Sequence, residues 1–498
     1  MKNTTMEQRL SAQMWSDIAL RQFNDEKAFV QFLGERDEKT HWFETKLANI
    51  KFIAANQEDP LSQICEANKL GIDQEMYAEL LVNSGMFLSI KRGFLPFHVE
   101  GKTSMKKRNK SLRIMIMADS SEAWAGETVT YTVSIENDND ESVPLFLKRF
   151  IRGKGKITLI STGNVEDNGN GCVTAIVGGK SKIEFNLQYK VSEKDMREDI
   201  YPIGLAATKK ILEYSGIRGE RYAFLHERNI TLLASIINQM VEELARVRDS
   251  RCKVKIDEMV RTIVSDRYAI VPCSELIEKT VDFYLPDNFP EAKFMKGFWC
   301  HDMVSATWDL SAYADRFADV MAKFDCAKVA GYIPALTVVS SDVTKNAITL
   351  YPTLAERNAG AHIPLLMGTH TQHIGVGTIY ERLNADFAMV LSNFTEAVVQ
   401  LASLDSVKIK YGRNTLIRCM KLKKVSMPVD QAREAVENFP YDGECTALDV
   451  YLAIVQAYNF VCRDFPADKA RCFRTYDSTV SAMRTNWSLL DRPEKVEM

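Results

Sequence analysis

The chain has 498 residues, of which 46% are hydrophobic and 26% charged, with a formal net charge of -3 and a pI near 6.3. Its length accommodates about two to four domains, and its composition is that of a folded protein rather than a disordered one. The near-neutral charge excludes a global attraction for nucleic acid, so binding of a polyanion requires a local basic patch.

No run of consecutive apolar residues reaches the roughly 18 that are needed to span a bilayer. The first residues, MKNTTMEQRL, lack the apolar stretch of a secretory signal. These two observations predict a cytoplasmic protein without membrane contact. The ten cysteines form no C-x-x-C pair, and we expect them to be reduced and partly buried.

Residues 1–101 are predicted to be a helical N-terminal domain. Apolar residues recur at helical spacing from Met6 to Leu33, and two shorter helical patterns follow at 60–71 and 73–85. The two short helices around a glycine resemble a helix-turn-helix. No basic recognition face follows them, so a packing hairpin is the favoured interpretation.

The next segment contains a basic cluster formed by Lys106, Lys107, Arg108 and Lys110. Such a cluster can hold phosphate groups. The alternative is a solvated connector, which is the more frequent role of a short charged run.

Residues 112–195 have a sequence pattern typical of a β-sandwich. The segments 128–137 and 182–190 alternate apolar and polar side chains with a period of two, and shorter apolar runs and Asn/Asp/Gly turns lie between them. The run GETVTYTVSIEN before KIEFNLQY is similar to immunoglobulin-like repeats of surface and virion proteins. A plain β-meander is the alternative.

Residues 200–485 are predicted to be a mixed α/β core, and 486–498 a loose tail. A helix ending near Gly216, strands at 335–341 and 346–351, and long helices at about 385–404 and 446–462 define this core.

The core resembles the phage- and plasmid-associated family described as domain of unknown function 932. The motifs are IGLAATKKILEYSGIRGERY before MVRTIVSDRYAIV, then VVSSDVTKNAITLY, ERNAG and THTQHIGVGTIYERL. Thr344 stands where the family has glycine, and the family's cysteine before Asn-Gly is missing near Arg357. The resemblance covers roughly residues 200–498 and implies a mobile-element origin, because the family has no settled activity to transfer.

Two arginines and a tyrosine in this signature form the first candidate site. In a strand, Ser265 and Arg267 would face one side, and Asp266 and Tyr268 the other. Arg261 and Arg267 would then grip phosphates while Tyr268 stacks on a base. The alternative, a structural ion pair at a sheet edge, is favoured in a slightly negative chain.

Three histidines, His362, His370 and His373, form the second candidate site. Imidazole nitrogens at this spacing can bind zinc, the one cofactor that the sequence suggests. The segment is rich in Gly and Pro and lacks a general-base glutamate at a familiar spacing. Exposed or hydrogen-bonding histidines are therefore the favoured interpretation, and catalytic residues stay unknown.

The sequence thus predicts an α+β, multidomain chain with a helical N-terminal part, a β-sandwich insert and a mixed α/β core. Nothing in it demands an enzyme. The first functional hypothesis is a phage- or plasmid-encoded, non-catalytic protein that binds nucleic acid in replication or recombination. The second is a structural protein of a virus-like particle that self-assembles or binds protein partners through the sandwich. The third is a metal-dependent hydrolase.

Overall fold

The computed structural model describes residues 20–497, with gaps at 55–85, 97–98, 105–110, 148–150, 152, 161–164, 170, 218, 248–250, 258, 302, 318–331, 342, 344–346, 357–360 and 467. The described residues contain both helices and antiparallel sheets, in agreement with the predicted α+β class.

The strands of the described residues are β1 (Arg21–Phe23), β2 (His41–Lys46), β3 (Ile50–Ala54), β4 (Met86–Arg92), β5 (Val99–Ser104), β6 (Ser111–Ala118), β7 (Thr128–Asn137), β8 (Val143–Leu147), β9 (Lys156–Leu159), β10 (Val165–Asp167), β11 (Val173–Val177), β12 (Lys182–Lys190), β13 (Arg197–Pro202), β14 (Arg251–Ile256), β15 (Val260–Ser265), β16 (Lys293–Cys300), β17 (Met303–Asp309), β18 (Tyr332–Ser340), β19 (Ile348–Glu356), β20 (His362–Pro364), β21 (Thr369–Thr371), β22 (Lys408–Ile409) and β23 (Cys445–Thr446).

The α-helices of the same residues are α1 (Glu26–Glu38), α2 (Leu205–Ser215), α3 (Glu220–Arg228), α4 (Ile230–Val247), α5 (Cys273–Lys279), α6 (Leu285–Asn288), α7 (Val376–Ser403), α8 (Gly412–Met420), α9 (Val429–Asn438), α10 (Ala447–Asp464), α11 (Lys469–Met483) and α12 (Trp487–Leu490). Helix α2 ends as the sequence predicts, because Gly216 adopts a left-handed φ of 70° directly after it.

A seven-stranded antiparallel sheet organises the C-terminal half. Its strand order is β1-β16-β17-β18-β19-β20, and β21 also pairs with β19. Side chains alternate across a sheet, so each strand serves both faces. On one face, apolar residues such as Val304, Trp308 and Leu336 form a core with α1, α5 and the first half of α7. Helices α10 and α11 lie over the other face.

A second core joins segments that are far apart in sequence. Strand β14 pairs with both β15 and β2, and β4 pairs with β3 and β13. Helices α2 and α4 pack against these two small sheets through residues such as Ile211, Leu233 and Ile237.

The described residues of 99–190 form two antiparallel sheets around one core. One sheet has the order β5-β6-β7-β12-β9, and the other β10-β11-β8. Buried side chains of both sheets, including Tyr131, Val173 and Leu187, belong to the same cluster. The period-two pattern of β7 and β12 is confirmed by their pairing along nine residues. The immunoglobulin likeness stays a prediction.

The helical prediction for residues 1–101 is wrong for much of its described part. Helix α1 is present, but β2 to β5 occupy other described residues of this range. In β2, Phe43 and Thr45 are buried between less buried neighbours, a period-two pattern too short to identify from sequence. Strands β1 and β2 pair with β16 and β14, so this segment is integrated into the predicted core. The two short helices predicted at 60–71 and 73–85 lie outside the described residues.

The predicted loose tail, residues 486–498, is anchored to the core at Trp487 and Leu490, although most of its other described residues are exposed. Trp487 is buried in the core formed by α7, α8 and α10. The Asp491 carboxylate accepts hydrogen bonds from the backbone N–H groups of Lys410 and Tyr411, each at 2.9 Å, just before α8 begins. These contacts explain why the tail does not behave as a loose end.

One helix of the described residues, Thr378–Ser406, passes a length and hydropathy test for a membrane span, with a mean hydropathy of 1.3. Core helices of soluble proteins pass the same test. Its inward side contributes Leu383 and Phe387 to one hydrophobic core and Val398 and Leu401 to another.

Candidate ligand-binding cavity

A cavity of about 410 Å³ lies between the second face of the seven-stranded sheet and helices α10 and α11. We call it the sheet–helix cavity. Ligand pockets in proteins are commonly about 300–1,000 Å³, so its volume suits a small molecule. It is lined on the sheet side by Lys296, Phe298, Ser305, Thr307, Thr337, Tyr351, Thr353 and His362, and on the helix side by Tyr458, Asn459, Cys462, Arg463, Lys469, Cys472, Phe473 and Tyr476.

A β-bulge places a lysine on the cavity face. In a regular strand, residues two apart share a face, so Phe294 and Lys296 would point the same way. The register between β16 and β17 shifts between these two residues. Phe294 therefore packs against Trp308 and Phe29 on the apolar face, while Lys296 lines the cavity.

Hydroxyl groups line the cavity side of the central strands. The Oγ1 atoms of Thr307 and Thr337 are 2.8 Å apart, across the pairing of β17 with β18. Ser305, Thr307 and Thr353 are each at most 4% exposed. Burying a hydroxyl without a hydrogen-bond partner costs free energy. A sheet face with no polar role would therefore have apolar residues at these positions.

The two covering helices present side chains at helical spacing. Tyr458 and Cys462 are four residues apart on α10, and Lys469, Cys472 and Phe473 occupy the same side of α11. The Phe473 ring stacks on Tyr351 of the sheet at a centroid distance of 4.8 Å. The helices thereby supply an aromatic wall, a thiol pair and a cation.

The cavity is positively charged. Its described lining contains three basic residues and no carboxylate. Arg463 already pairs with Glu434 and Asp464. Lys469 Nζ lies 3.8 Å from the centre of the Phe298 ring, a cation–π contact, and neither Lys469 nor Lys296 forms an ion pair within the described chain.

His362 is held neutral beside these lysines. Burial, followed by the charges of Lys296 and Lys469, lowers the pKa of His362 from 6.5 to about 3. Its Nε2 lies 3.2 Å from Lys296 Nζ, and the ammonium group is the donor in that contact. The His362 backbone N–H donates to Asn459 Oδ1 at 3.1 Å, which fixes β20 against α10. Burial also lowers the pKa of Lys296, and the nearby Lys469 charge adds to the shift.

Arg261, predicted to grip phosphate, serves a structural ion pair. Its Nε donates to both carboxylate oxygens of Asp257 at 2.9 and 2.8 Å, and the Arg261 side chain is 6% exposed. Arg36 of α1 contacts the same carboxylate at 3.3 Å. Burial raises the pKa of Asp257, but the charge and hydrogen bonds of Arg261 outweigh it, and the pKa is lowered. Arg261 is therefore enclosed by protein rather than presented to a ligand.

Tyr268 and Arg267 lie beyond the strand that the sequence predicted for them. Strand β15 ends at Ser265, and a turn follows in which the Tyr268 N–H donates to the Ser265 carbonyl. Tyr268 is 9% exposed, with Trp42 and His373 stacked on it at 6.0 and 4.9 Å. The predicted alternation of faces is therefore wrong, and its aromatic face is already occupied. Arg267 is exposed.

The basic cluster of Lys106, Lys107, Arg108 and Lys110 lies outside the described residues. Arg267 is therefore the one member of the predicted phosphate-binding set that the described structure places on the surface.

The three histidines predicted to bind zinc are not brought together. His362 pairs with position 355 of β19, and His370 with position 349, which are about 20 Å apart along a strand. His370 Nδ1 contacts Thr349 Oγ1, and His373 Nδ1 contacts the Ala269 carbonyl, each at 3.2 Å. No group of three or more potential metal ligands occurs within the described residues.

Sequence reasoning missed the sheet–helix cavity, although it named His362. The available signal was the polar residues at a period of two inside apolar strands, as in MVSATWD of β17. The contributions of α10 and α11 carry no such signal, because their alignment over the sheet depends on tertiary packing.

A scan against protein-family models finds no match, and searches of curated proteins and of solved structures find no similar chain. The family resemblance of residues 200–498 stays a prediction.

Proposed function

We propose that this protein binds a phosphate-bearing ligand of the nucleotide class in the sheet–helix cavity, either as a free nucleotide or as the end of a nucleic-acid strand. The observation that carries the proposal is the pair of cations, Lys296 and Lys469, in a described cavity wall without a carboxylate. The charge of Lys469 contributes to the lowered pKa of Lys296, and an anion bound beside both ammonium groups would offset this repulsion.

Aromatic and hydroxyl groups extend the same argument. Phe298 and Phe473 line the cavity, where Lys469 lies over the Phe298 ring and Tyr351 stacks on Phe473. A base stacked on either ring would contribute about 1–3 kcal/mol. The Thr353 hydroxyl donates to the Ile363 carbonyl, and the Thr307 hydroxyl is hydrogen-bonded to Thr337, so each keeps an acceptor lone pair for a donor on a sugar or base edge. A phosphate joined to a flat ring system matches this combination better than a phosphate alone. This ligand class is compatible with the predicted nucleic-acid role, but the residues that would bind the ligand differ from those predicted.

Titration calorimetry of the full chain tests this proposal. We expect a nucleoside monophosphate to bind more tightly than either the nucleoside or inorganic phosphate. Lys296→Met and Lys469→Met should each weaken binding by about ten- to hundredfold, because each removes a charged hydrogen-bond donor and keeps an apolar stem. Lys182→Met, on the exposed edge of β12, is the matched control and should leave affinity unchanged.

A single-stranded oligonucleotide distinguishes the two sources of the ligand. Binding that weakens with both lysine variants and with rising salt supports a strand end in the cavity. Binding that only Arg267→Ala weakens would move the site to the surface turn and overturn the cavity proposal. Equal affinity for the nucleoside and its monophosphate, or no binding of either, would also overturn it.

A second candidate function, self-assembly through the two sheets at 99–190, is favoured by an exposed apolar face. Phe146 and Ile176 are 48% and 66% exposed. Ile176 pairs with Pro144, and Phe146 with Thr174, so these side chains project from one face of the β10-β11-β8 sheet. Such a face suits packing against the same face of a second copy of this chain.

Light scattering during size-exclusion chromatography tests self-assembly. We expect the unaltered protein to form an oligomer that Ile176→Lys dissociates, because the new charge would be buried between copies. Phe224→Lys, at an equally exposed apolar position on α3, is the control and should not change the mass. Self-assembly is excluded if the unaltered protein elutes as a monomer at all concentrations.

The remaining expectations rest on sequence alone. A phage or plasmid origin and a role in replication or recombination depend on the family resemblance. A metal-dependent hydrolase would need a ligand set other than the three dispersed histidines.

A further inference from the structure

Two cysteines meet in the wall of the sheet–helix cavity. Cys462 lies in the last turn of α10, and Cys472 in the first turn of α11, across a short connection. Both cysteines line the cavity, and neither is in a disulfide. Cys462 is partly exposed to the cavity, whereas Cys472 is 4% exposed, with its Sγ 3.5 Å from the Phe465 carbonyl oxygen. One thiol is thus accessible and the other lies behind it.

The surroundings of Cys462 stabilise its thiolate. The hydrogen bond from Cys472 is the largest cause that lowers the pKa of Cys462, and it outweighs the opposing effect of burial. A hydrogen bond from Tyr458 and the charges of Lys469 and Lys296 act in the same direction. Burial and the neighbouring Cys462 raise the pKa of Tyr458, which therefore keeps its proton as a donor. Thiolates, rather than thiols, are the nucleophiles in sulfur chemistry.

We infer that Cys462 and Cys472 form a redox-active dithiol that a small hydroperoxide, entering through the cavity, oxidises to an intramolecular disulfide. The Cys462 thiolate attacks the terminal peroxide oxygen, the O–O bond breaks, and the departing oxygen takes a proton to leave as water or an alcohol. Cys462 is then a sulfenic acid. Cys472 attacks its sulfur, loses its own proton, and displaces water as the S–S bond forms. Two thiols are oxidised and one peroxide is reduced.

This inference goes beyond the proposed nucleotide binding and does not depend on it. The two cysteines line the cavity whether or not a nucleotide binds there, and hydroperoxide is small enough to enter a cavity of about 410 Å³.

Peptide mass spectrometry of the full-length protein tests the inference without bound nucleotide. After brief treatment with limiting hydrogen peroxide, we expect a 462–472 disulfide, with two hydrogens lost from the linked peptides. Alkylation of Cys462 by iodoacetamide should be about tenfold faster at neutral pH than that of Cys172, a partly exposed cysteine between two strands. Its rate should also reach half-maximum at a lower pH.

Variants separate the two steps. In Cys472→Ser, Cys462 should accumulate as a sulfenic acid that dimedone traps, while Cys462→Ser should leave Cys472 unreactive. The wild-type alkylation profile provides the readout if a variant fails to fold. The inference is overturned if Cys462 is alkylated no faster than Cys172. It is also overturned if peroxide does not form the 462–472 disulfide. If the protein binds no nucleotide but Cys462 reacts as expected, only the proposed function is overturned.

Discussion

Asp257→Asn is expected to lower the free energy of unfolding by about 3–5 kcal/mol at neutral pH. The substitution leaves the buried guanidinium of Arg261 and the neighbouring Arg36 without their shared carboxylate. An amide can accept a hydrogen bond but cannot neutralise these charges. Chemical denaturation at pH 7, with the unfolding midpoint and slope fitted for both proteins, measures the loss.

The effect of pH provides an internal check on Asp257. Its pKa is lowered in the folded state, so its contribution is present above the unfolded pKa of about 3.9 and is lost as the pH falls through the folded pKa. The difference between wild type and variant should therefore shrink below about pH 4. Adding Arg261→Met to the variant should recover part of the loss, because it removes one stranded charge.

Glu243→Gln is the matched control for this prediction. Glu243 pairs with Arg246 on the surface of α4, where both side chains are more than 60% exposed. The same carboxylate-to-amide change should cost less than about 1 kcal/mol there. If Asp257→Asn costs no more than this control, the network does not stabilise the fold, and Arg261 becomes available again as a ligand-binding residue.

Trp487→Ala is expected to destabilise the chain by about 3–5 kcal/mol, because it opens a large space in a packed core. Trp487 is 5% exposed and contacts the cluster formed by α7, α8 and α10. A loose tail would instead tolerate the change without cost. The measurement is again equilibrium denaturation, and a shift in thermal midpoint provides a second reading.

Leu489→Ala is the control two residues further along. Leu489 belongs to the same short helix but is 58% exposed, so its truncation should cost within about 0.5 kcal/mol. Equal small losses for the two variants would contradict the docked tail and restore the sequence prediction for residues 486–498.

The elements that the sequence predicted correctly are those with long periodic patterns. Strand β7 has four apolar positions at a period of two, and α7 buries Phe387, Phe394 and Val398 at helical spacing. These patterns are local, since each residue's burial follows from its own element. Strands of five or six residues such as β2 and β3 give too few periods for the same inference.

The candidate site was less predictable because it depends on distant segments. Lys296 reaches the cavity through a bulge, Lys469 through the packing of α11, and Cys462 through the end of α10. Two of the predicted site residues are engaged within the fold for a related reason. Arg261 and Tyr268 are strong signals in sequence, but their partners Asp257, Trp42 and His373 occupy them in the fold. A motif alone does not show whether its side chains are already bound.

The pairing of β2 with β14 has a consequence for how the chain is made. Lys46 lies opposite Arg251, so a ribosome adds about 200 residues after β2 before its partner strand exists. During that interval β2 has an unpaired edge on the side that β14 later covers, and its pairing closes a very long loop. Non-local pairing of this kind slows folding. We therefore expect the two sheets at 99–190, whose paired residues lie at most 62 positions apart in sequence (Thr128 with Lys190), to fold earlier during synthesis than the segments on either side of them.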